Sequence, residues 1–363
     1  MTERRIEADG PEVAAGAERR IDEVRAGGAG PRRAAIAGWG MAVPEGKLTN
    51  ADLEARGIGT SNQWILERTG ISERRMCAPD ETTAGLAIAA GNAAIKSAGI
   101  TPGDLGMVIV ATCTPEQPIP ETSSFVAEGL GVRCGAFDVG AACAGFSYGL
   151  VVATGLVAAG TDAPILLIGA ENLTRVVEPI DRGTVILFGD GAGATVIAPS
   201  TAGPDGPGVL SWDMGADGSA AHLIEITGGG SRLPATPESV AAGTQWLRMN
   251  GPEVFRTAVR VVVESSNAAL ARAGLTAADV DWFVPHQANA RIVTAAANRL
   301  KIPAEKCIVN IDRYGNTSAA SIPIALSEAA DDGRLSDGDI VLSCGFGAGM
   351  TWSSAVLRWG RPA

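Results

Sequence analysis

The stretch FDVGAACAGFSYGL, residues 137–150, decides how this chain is read. Phe137 to Val139 read as the end of a buried strand, and Ala144 to Gly160 as an apolar helix rich in Ala and Gly. Cys143 stands at the junction between them. A thiol there faces a helix N-terminus, whose unpaired backbone N–H groups and dipole favour the thiolate. A lowered thiol pKa is what a nucleophilic cysteine needs. A small buried core cysteine would fit the same pattern, so the rest of the chain has to decide.

With 363 residues, 46% of them hydrophobic, the chain can build a large core or two fused domains. Only 19% of residues are charged, and the formal net charge of −11 argues against nucleic-acid binding. No uninterrupted apolar run is long enough to span a bilayer, and the start MTERRIEADGPEVAAGAERR has no apolar core of a secretory signal. The six cysteines form no C-x-x-C pair and there are two histidines, so no metal site is expected. Reduced thiols without such a framework predict a cytoplasmic protein. Residues 1–33 mix Arg with Asp and Glu without steady periodicity and are expected to be a mobile extension, with one transient helix near Val13 to Val24. From Ala34 onward, strand-like runs (Met107 to Ala111, Ile165 to Ile168, Val185 to Phe188, Ile340 to Ser343) alternate with Ala-rich helical stretches. That alternation predicts an α/β fold with buried strands.

The chain also repeats itself. Ala98-Gly99-Ile100-Thr101, followed by Asp104-Leu105 and MVIVA, matches Ala273-Gly274-Leu275-Thr276, followed by Asp279-Val280 and DWFVPH, 175 residues later. The same offset carries Gly140-Ala141 onto Gly315-Asn316. GDGAGATVI from Gly189 resembles GFGAGMTWSSAVL from Gly345. Three pairs in one order predict two duplicated α/β halves, 34–205 and 206–363. Packed about a pseudo-twofold axis, such halves would bring Cys143 together with strand ends of the second half that carry His286 and Asn316.

Of the two histidines, His222 follows a Gly-rich stretch and reads as a surface residue, whereas His286 follows an apolar strand directly. Asn316, in DRYGNTSAASIP, suits a turn or helix cap as well as a site. Cysteine, histidine and asparagine from three strand ends suit acyl transfer to sulfur. The sequence shows no carboxylate beside them. Such a site is better at donating hydrogen bonds to an oxyanion than at abstracting a carbon-bound proton.

The motifs WILERTGISERR (64–75), FDVGAACAGF (137–146), DRGTVILFGDGAGA (181–194), VPHQANARI (284–292), GNTSAASIP (315–323) and GFGAGMTW (345–352) together resemble those of the β-ketoacyl-ACP synthase III family, initiating condensing enzymes of the thiolase superfamily. The resemblance covers nearly all of Ala34 to Trp359. It implies a five-layered αβαβα thiolase fold and a homodimer. It also implies acyl-CoA and malonyl-ACP as substrates, no cofactor, and a role in starting fatty-acid or polyketide chains.

By the resemblance Cys143 holds the acyl group, while His286 and Asn316 stabilise the enolate formed by decarboxylation. The backbone N–H groups of Cys143 and Ala348 form the other oxyanion hole. Trp64, Arg68, Arg182 and Asn289 would bind CoA. Gln287, Ala288, Asn289, Ala290, Arg291 and Arg256 would meet the acidic carrier protein, with Arg299, Lys301 and Lys306 nearby. In the loop TPEQPIPETSS (114–124), Ile119 would cap the partner chain's acyl pocket where some relatives carry an aromatic side chain. Tyr314 stands where some relatives have histidine. Four rivals stay open. An acyltransferase would use a non-carbon nucleophile, or a partner subunit would bind the carrier without catalysis. A thiolase would need a second catalytic cysteine, for which Cys344 is the candidate. A hydroxymethylglutaryl-CoA synthase would need a glutamate near the cysteine, and none is evident in the sequence.

Overall fold

The computed structural model describes residues 32–203 and 205–362. The expected extension, apart from its last two residues, lies outside them. Two sheets carry the fold. The first contains β1 (Arg33–Ala42), β2 (Met107–Ala111), β3 (Gly135–Val139), β4 (Ile165–Asn172) and β5 (Asp190–Ser200), in the order β1-β5-β4-β2-β3. The second contains β6 (Gly208–Ala216), β7 (Trp282–Pro285), β8 (Ile340–Gly347) and β9 (Thr351–Arg358), in the order β7-β8-β9-β6. Read from the opposite edge, the second order repeats the first: β6 matches β1, β9 matches β5, β8 matches β4 and β7 matches β2. The place of β3 is held by one parallel bridge, Phe283 to Cys307. In both sheets the equivalent pair, β4-β2 or β8-β7, is parallel and the strands on the side of β1 or β6 pair antiparallel, while β3 joins β2 in parallel in the first sheet.

Helices form the other three layers. Thr82 caps α1 (Thr83–Ala98) by accepting from Gly85 N–H, and Gly99 at φ 70° ends it. With α2 (Thr122–Leu130) it covers the outer face of the first sheet. Between the sheets lie α3 (Gly145–Ala158) and, in the second half, α6 (Ser321–Asp331). The outer face of the second sheet packs on α4 (Gly251–Arg272) and α5 (Ala290–Leu300). The central helices are apolar almost all round because each meets a sheet on both sides. Every residue of β4 and β8 is buried for the same reason. Their alternate side chains feed different cores: Ile165 and Leu167 face the middle layer, Leu166 and Ile168 the outer one.

Two expectations about sequence matching are corrected. The offset of 175 holds between Gly99 (φ 70°) and Gly274 (φ 71°). At the site the left-handed residues are Ala142 (φ 45°) and Ser318 (φ 49°), one residue further apart, so Gly140 corresponds to Asn316 and not to Gly315. The GDGAGATVI match is also displaced. Gly191 and Gly193 lie inside β5, whereas Gly345 and Gly347 end β8 and the counterpart of β5 is β9. The run Val185 to Phe188 is no strand. Asp181 caps a short helix, Arg182–Val185, by accepting from Gly183 N–H and Thr184 Oγ1. The chain then forms a single bridge from Phe188 to Asn316.

Candidate active site

Cys143 sits in the short turn Ala142–Ala144 that joins β3 to α3. The turn is pinned from the other half, where Thr351 Oγ1 donates to Ala141 O at 2.9 Å. Gly347 presses on it so closely that a Cβ there would lie 2.5 Å from the Cys143 nitrogen, so only glycine leaves room. Ala348, next in the chain, faces the same cavity. Burial pushes the Cys143 thiol up to about 12, the nearby Ser318 hydroxyl works against this, and the Glu171 charge adds to it. The expected lowering by the helix start is therefore overturned. A helix terminus is worth roughly 0.3–1 kcal/mol at a surface, less than the cost of charging a thiol enclosed by protein.

His286 follows β7, and its N–H donates to Cys344 O at 2.8 Å. The ring is 1% exposed and lies edge-on to Phe346. Burial lowers its pKa to about 3, so the imidazole is neutral. Its Nδ1 is 2.6 Å from Ser321 Oγ, which also accepts from Gln287 N–H at 3.3 Å. Asn316 is fixed by its backbone: its N–H donates to Leu187 O at 2.8 Å, and its O accepts from Gly189 N–H at 3.0 Å. Its Oδ1 accepts from Ser318 N–H at 2.8 Å. The group Asn316 offers the cavity is therefore its amide NH2.

Cys143, His286, Asn316 and Ala348 line one cavity of about 810 Å³. Its mouth carries Trp64 and Arg68, and also Arg256 and Arg291. The Arg68 and Arg182 guanidinium carbons lie 4.7 and 4.9 Å from the Trp64 ring centre. Asn289 caps α5 by accepting from Arg291 N–H at 2.9 Å and donates to Arg68 O at 3.0 Å, which ties the two parts of the mouth together. Arg291 lies over Phe255 at 5.6 Å. Ala288 lines the cavity, and Ala290 packs against Gly70.

Gln287 does not belong to a docking face. It is 1% exposed, its Nε2 donates to Pro285 O and Ile308 O, and its Oε1 accepts from Asn310 N–H. Three backbone groups use up the amide, so it holds the loop from within. Arg299 and Lys301 lie at the far end of α5, and Lys306 Nζ donates to Val280 O. Ile119 is 81% exposed and does not line the cavity of its own chain. His222 is exposed, away from the cavity. Tyr314 donates its O–H to Glu328 at 2.6 Å.

Cys344 is buried in the core between β8 and α4 and faces away from Cys143. The second thiol in the cavity is Cys113, just beyond the end of β2. A carboxylate stands behind Cys113, against the expectation of none. Glu171, near the end of β4, is fully buried and accepts from Thr114 Oγ1 at 2.7 Å and from Cys113 N–H at 3.1 Å. Cys113 and Glu171 were readable in principle as residues at the C-terminal ends of parallel strands, where α/β proteins place ligand-binding groups.

Comparisons with known proteins agree on one family. The family 3-oxoacyl-[acyl-carrier-protein (ACP)] synthase III matches residues 137–218, and its C-terminal part matches residues 270–359. A β-ketoacyl-[acyl-carrier-protein] synthase III of Roseiflexus castenholzii is 52% identical over 328 residues, 90% of this chain and 98% of the relative. The crystal structure of 3-oxoacyl-[acyl-carrier-protein] synthase III from Aquifex aeolicus is 40% identical with a TM-score of 0.81, covering 90% of this chain and 100% of that one. The priming β-ketosynthase of the R1128 polyketide pathway is 34% identical with a TM-score of 0.83, covering 93% and 100%.

Proposed function

The chain belongs to the β-ketoacyl-[acyl-carrier-protein] synthase III family, and we propose that it performs the family's initiating condensation with Cys143, His286 and Asn316 in separate roles. In the first step the Cys143 sulfur attacks the thioester carbonyl of an acyl-CoA. The backbone N–H groups of Cys143 and Ala348 receive the oxyanion, and CoA leaves. In the second step the thioester oxygen of a malonyl group on the carrier protein lies between His286 Nε2–H and the Asn316 amide. Loss of CO2 places an electron pair on the neighbouring carbon and negative charge on that oxygen. The carbon attacks the acyl-cysteine carbonyl, the carbon–carbon bond forms and the thiolate is released. Neutral donors suit this step because they stabilise charge that develops only in the transition state.

The observation that carries this reading is the orientation of the two donors. Ser321 satisfies Nδ1 of His286 and Ser318 N–H satisfies Oδ1 of Asn316, leaving each with N–H toward the cavity that holds the thiol. Trp64, Arg68 and Arg182 form an aromatic and cationic mouth suited to a nucleotide, with Asn289 bracing it. Arg256 and Arg291 at the mouth, with Ala288, Asn289 and Ala290 beside them in sequence, form the face for an acidic carrier. Ile119 caps the acyl pocket of a partner in a homodimer. Among the described residues no helix is long and apolar enough to cross a membrane. The test is mass spectrometry after incubation with acyl-CoA. An acyl group on Cys143, discharged by malonyl-ACP into a β-ketoacyl product, supports the synthase. Discharge without a new carbon–carbon bond supports an acyltransferase, and no acylation a carrier-binding subunit.

A further inference from the structure

We propose that the proton of the Cys143 thiol passes through the Ser318 hydroxyl to Glu171 during acyl loading; this rests on the loading step above. Three observations carry it. His286 is turned the wrong way to take that proton. Among the described residues the Ser321 hydroxyl bonds only Gln287 N–H, which it accepts, and His286 Nδ1. Its own hydrogen therefore goes to Nδ1, and the single proton of the neutral ring sits on Nε2. A nitrogen that already carries a hydrogen donates to the cavity and cannot accept from the thiol.

Ser318 stands where a carrier of that proton would have to be. Its hydroxyl shares the cavity wall with Cys143 and lies 3.8 Å from the Cys113 sulfur, whose residue donates to Glu171, and it acts to lower the pKa of both the Cys143 thiol and the Glu171 carboxyl. Its left-handed backbone, φ 49°, is held by the bond from its N–H to Asn316 Oδ1. A hydroxyl has one hydrogen and two lone pairs, so it can accept from the thiol and donate to the carboxylate at once.

Glu171 is the third observation. It is 0% exposed and forms no ion pair among the described residues. Thr112 Oγ1, Thr114 Oγ1 and the N–H and thiol of Cys113 donate to it at 2.7–3.3 Å. The titratable groups that face it are the two thiols, and burial raises its pKa. A buried carboxylate without a cation is costly, and it gains by taking up a proton.

The step balances. The S–H bond of Cys143 breaks and its electron pair stays on sulfur. The proton goes to Ser318 Oγ as the Ser318 proton goes to a Glu171 oxygen. The thiolate attacks the thioester, and on collapse the proton returns by the same route to the departing CoA sulfur. No proton is left over, and His286 keeps its Nε2–H for the second step.

Rapid-quench measurement of acyl transfer from labelled acyl-CoA to Cys143 in the full-length enzyme tests the path. Removing a general base costs roughly 100-fold or more, so Ser318→Ala and Glu171→Gln are each expected to slow loading by about that factor. Enzyme acylated by long incubation should then release CO2 from malonyl-ACP at close to the wild-type rate. In the wild type the loading rate should rise with pH through a carboxyl ionisation that is missing in Glu171→Gln. If Glu171→Gln does not fold, Ser318→Ala decides alone. Normal loading in the folded variants overturns the proton path, as does an equal loss in both half-reactions. A wild-type enzyme that never forms acyl-Cys143 overturns the loading step itself.

Discussion

Replacing Asn316 by Asp separates holding the loop from stabilising charge. The new side chain has the same shape and one oxygen can still accept from Ser318 N–H, as Oδ1 does at 2.8 Å. The backbone bonds to Leu187 and Gly189 are untouched. What disappears is the pair of amide N–H donors facing the cavity. Loss of one oxyanion donor costs roughly 10²–10³ in rate, about 3–4 kcal/mol. A carboxylate facing a forming enolate adds repulsion, so the upper end is expected for CO2 release from malonyl-ACP. Acyl loading, assigned in the proposed mechanism to the N–H groups of Cys143 and Ala348, should fall far less.

The pH dependence has a definite sign. Position 316 is 5% exposed, so burial would raise the pKa of a carboxyl placed there. Below that raised value the acid is protonated and regains one O–H donor. Decarboxylation by the variant should therefore recover as pH falls, relative to the wild type. Because the folded form binds the proton more tightly than the unfolded chain, the variant's stability relative to wild type should drop as pH rises through the same range and then level. Labelled CO2 release by pre-acylated enzyme, with loading followed by mass spectrometry, measures both. Equal losses in loading and decarboxylation, or unchanged decarboxylation, would refute the separation of roles.

Trp64→Ala should raise the KM for acyl-CoA about tenfold, the equivalent of ~1.4 kcal/mol, and leave a short pantetheine thioester unaffected; a matched change for both would remove the nucleotide from Trp64. Arg291→Glu should weaken malonyl-ACP use much more than acyl-CoA use, and the difference should shrink at high salt. Gly169→Ala would place a Cβ 2.2 Å from Ala319 O, where the first half packs on the second; overpacking of this kind costs typically 1–3 kcal/mol, so thermal unfolding should shift down, and an unchanged Tm would contradict the close contact. A panel of acetyl-, isobutyryl- and longer acyl-CoA primers checks the Ile119 cap: turnover of branched or longer primers is expected, and strict acetyl preference would count against it.

The residues that were legible in the sequence are those whose surroundings are local. Cys143 announces itself by a strand end and a helix start with small residues on either side, and His286 by a similar strand end, whereas Asn316, expected at a strand end, follows a short helix and makes a single bridge to Phe188. What was not legible depends on strand order. Ala111 and Gly169 are neighbours because β2 and β4 pair in parallel. That register is what brings Cys113 and Glu171, each two residues further on, into one cluster beside Cys143. Nothing within five residues of either reveals it. Val185 to Phe188 has the composition of a strand, but its partners are scattered: the buried Arg74 donates to Ile186 O, and Asn316 takes Leu187 and Gly189. Gln287 reads as a surface amide by residue type, and only the fold shows three backbone groups around it.

The duplication explains why the two half-reactions can be tuned apart. Both halves make the same turn: a three-residue 3₁₀ turn whose first residue has positive φ, leading into a helix buried between the sheets, entered from β3 in the first half and from the single bridge at Asn316 in the second. In the first half the residue after the strained position is Cys143. In the second, the strained position is itself Ser318, and Asn316 stands two residues before it. A non-glycine residue in this backbone region costs of order 1–3 kcal/mol, and the packing of the opposite half holds each turn in place, Gly347 against Cys143 and Gly169 against Ala319. Each turn is thus braced by a strand of the other half's sheet, and the bracing does not depend on which side chain the turn carries. One backbone device can then present a nucleophile in one copy and a donor with a proton carrier in the other. Under the proposed roles the thiol and the Asn316 donor hang from different turns, so a substitution in the second turn is expected to slow decarboxylation while the oxyanion hole of the first remains intact.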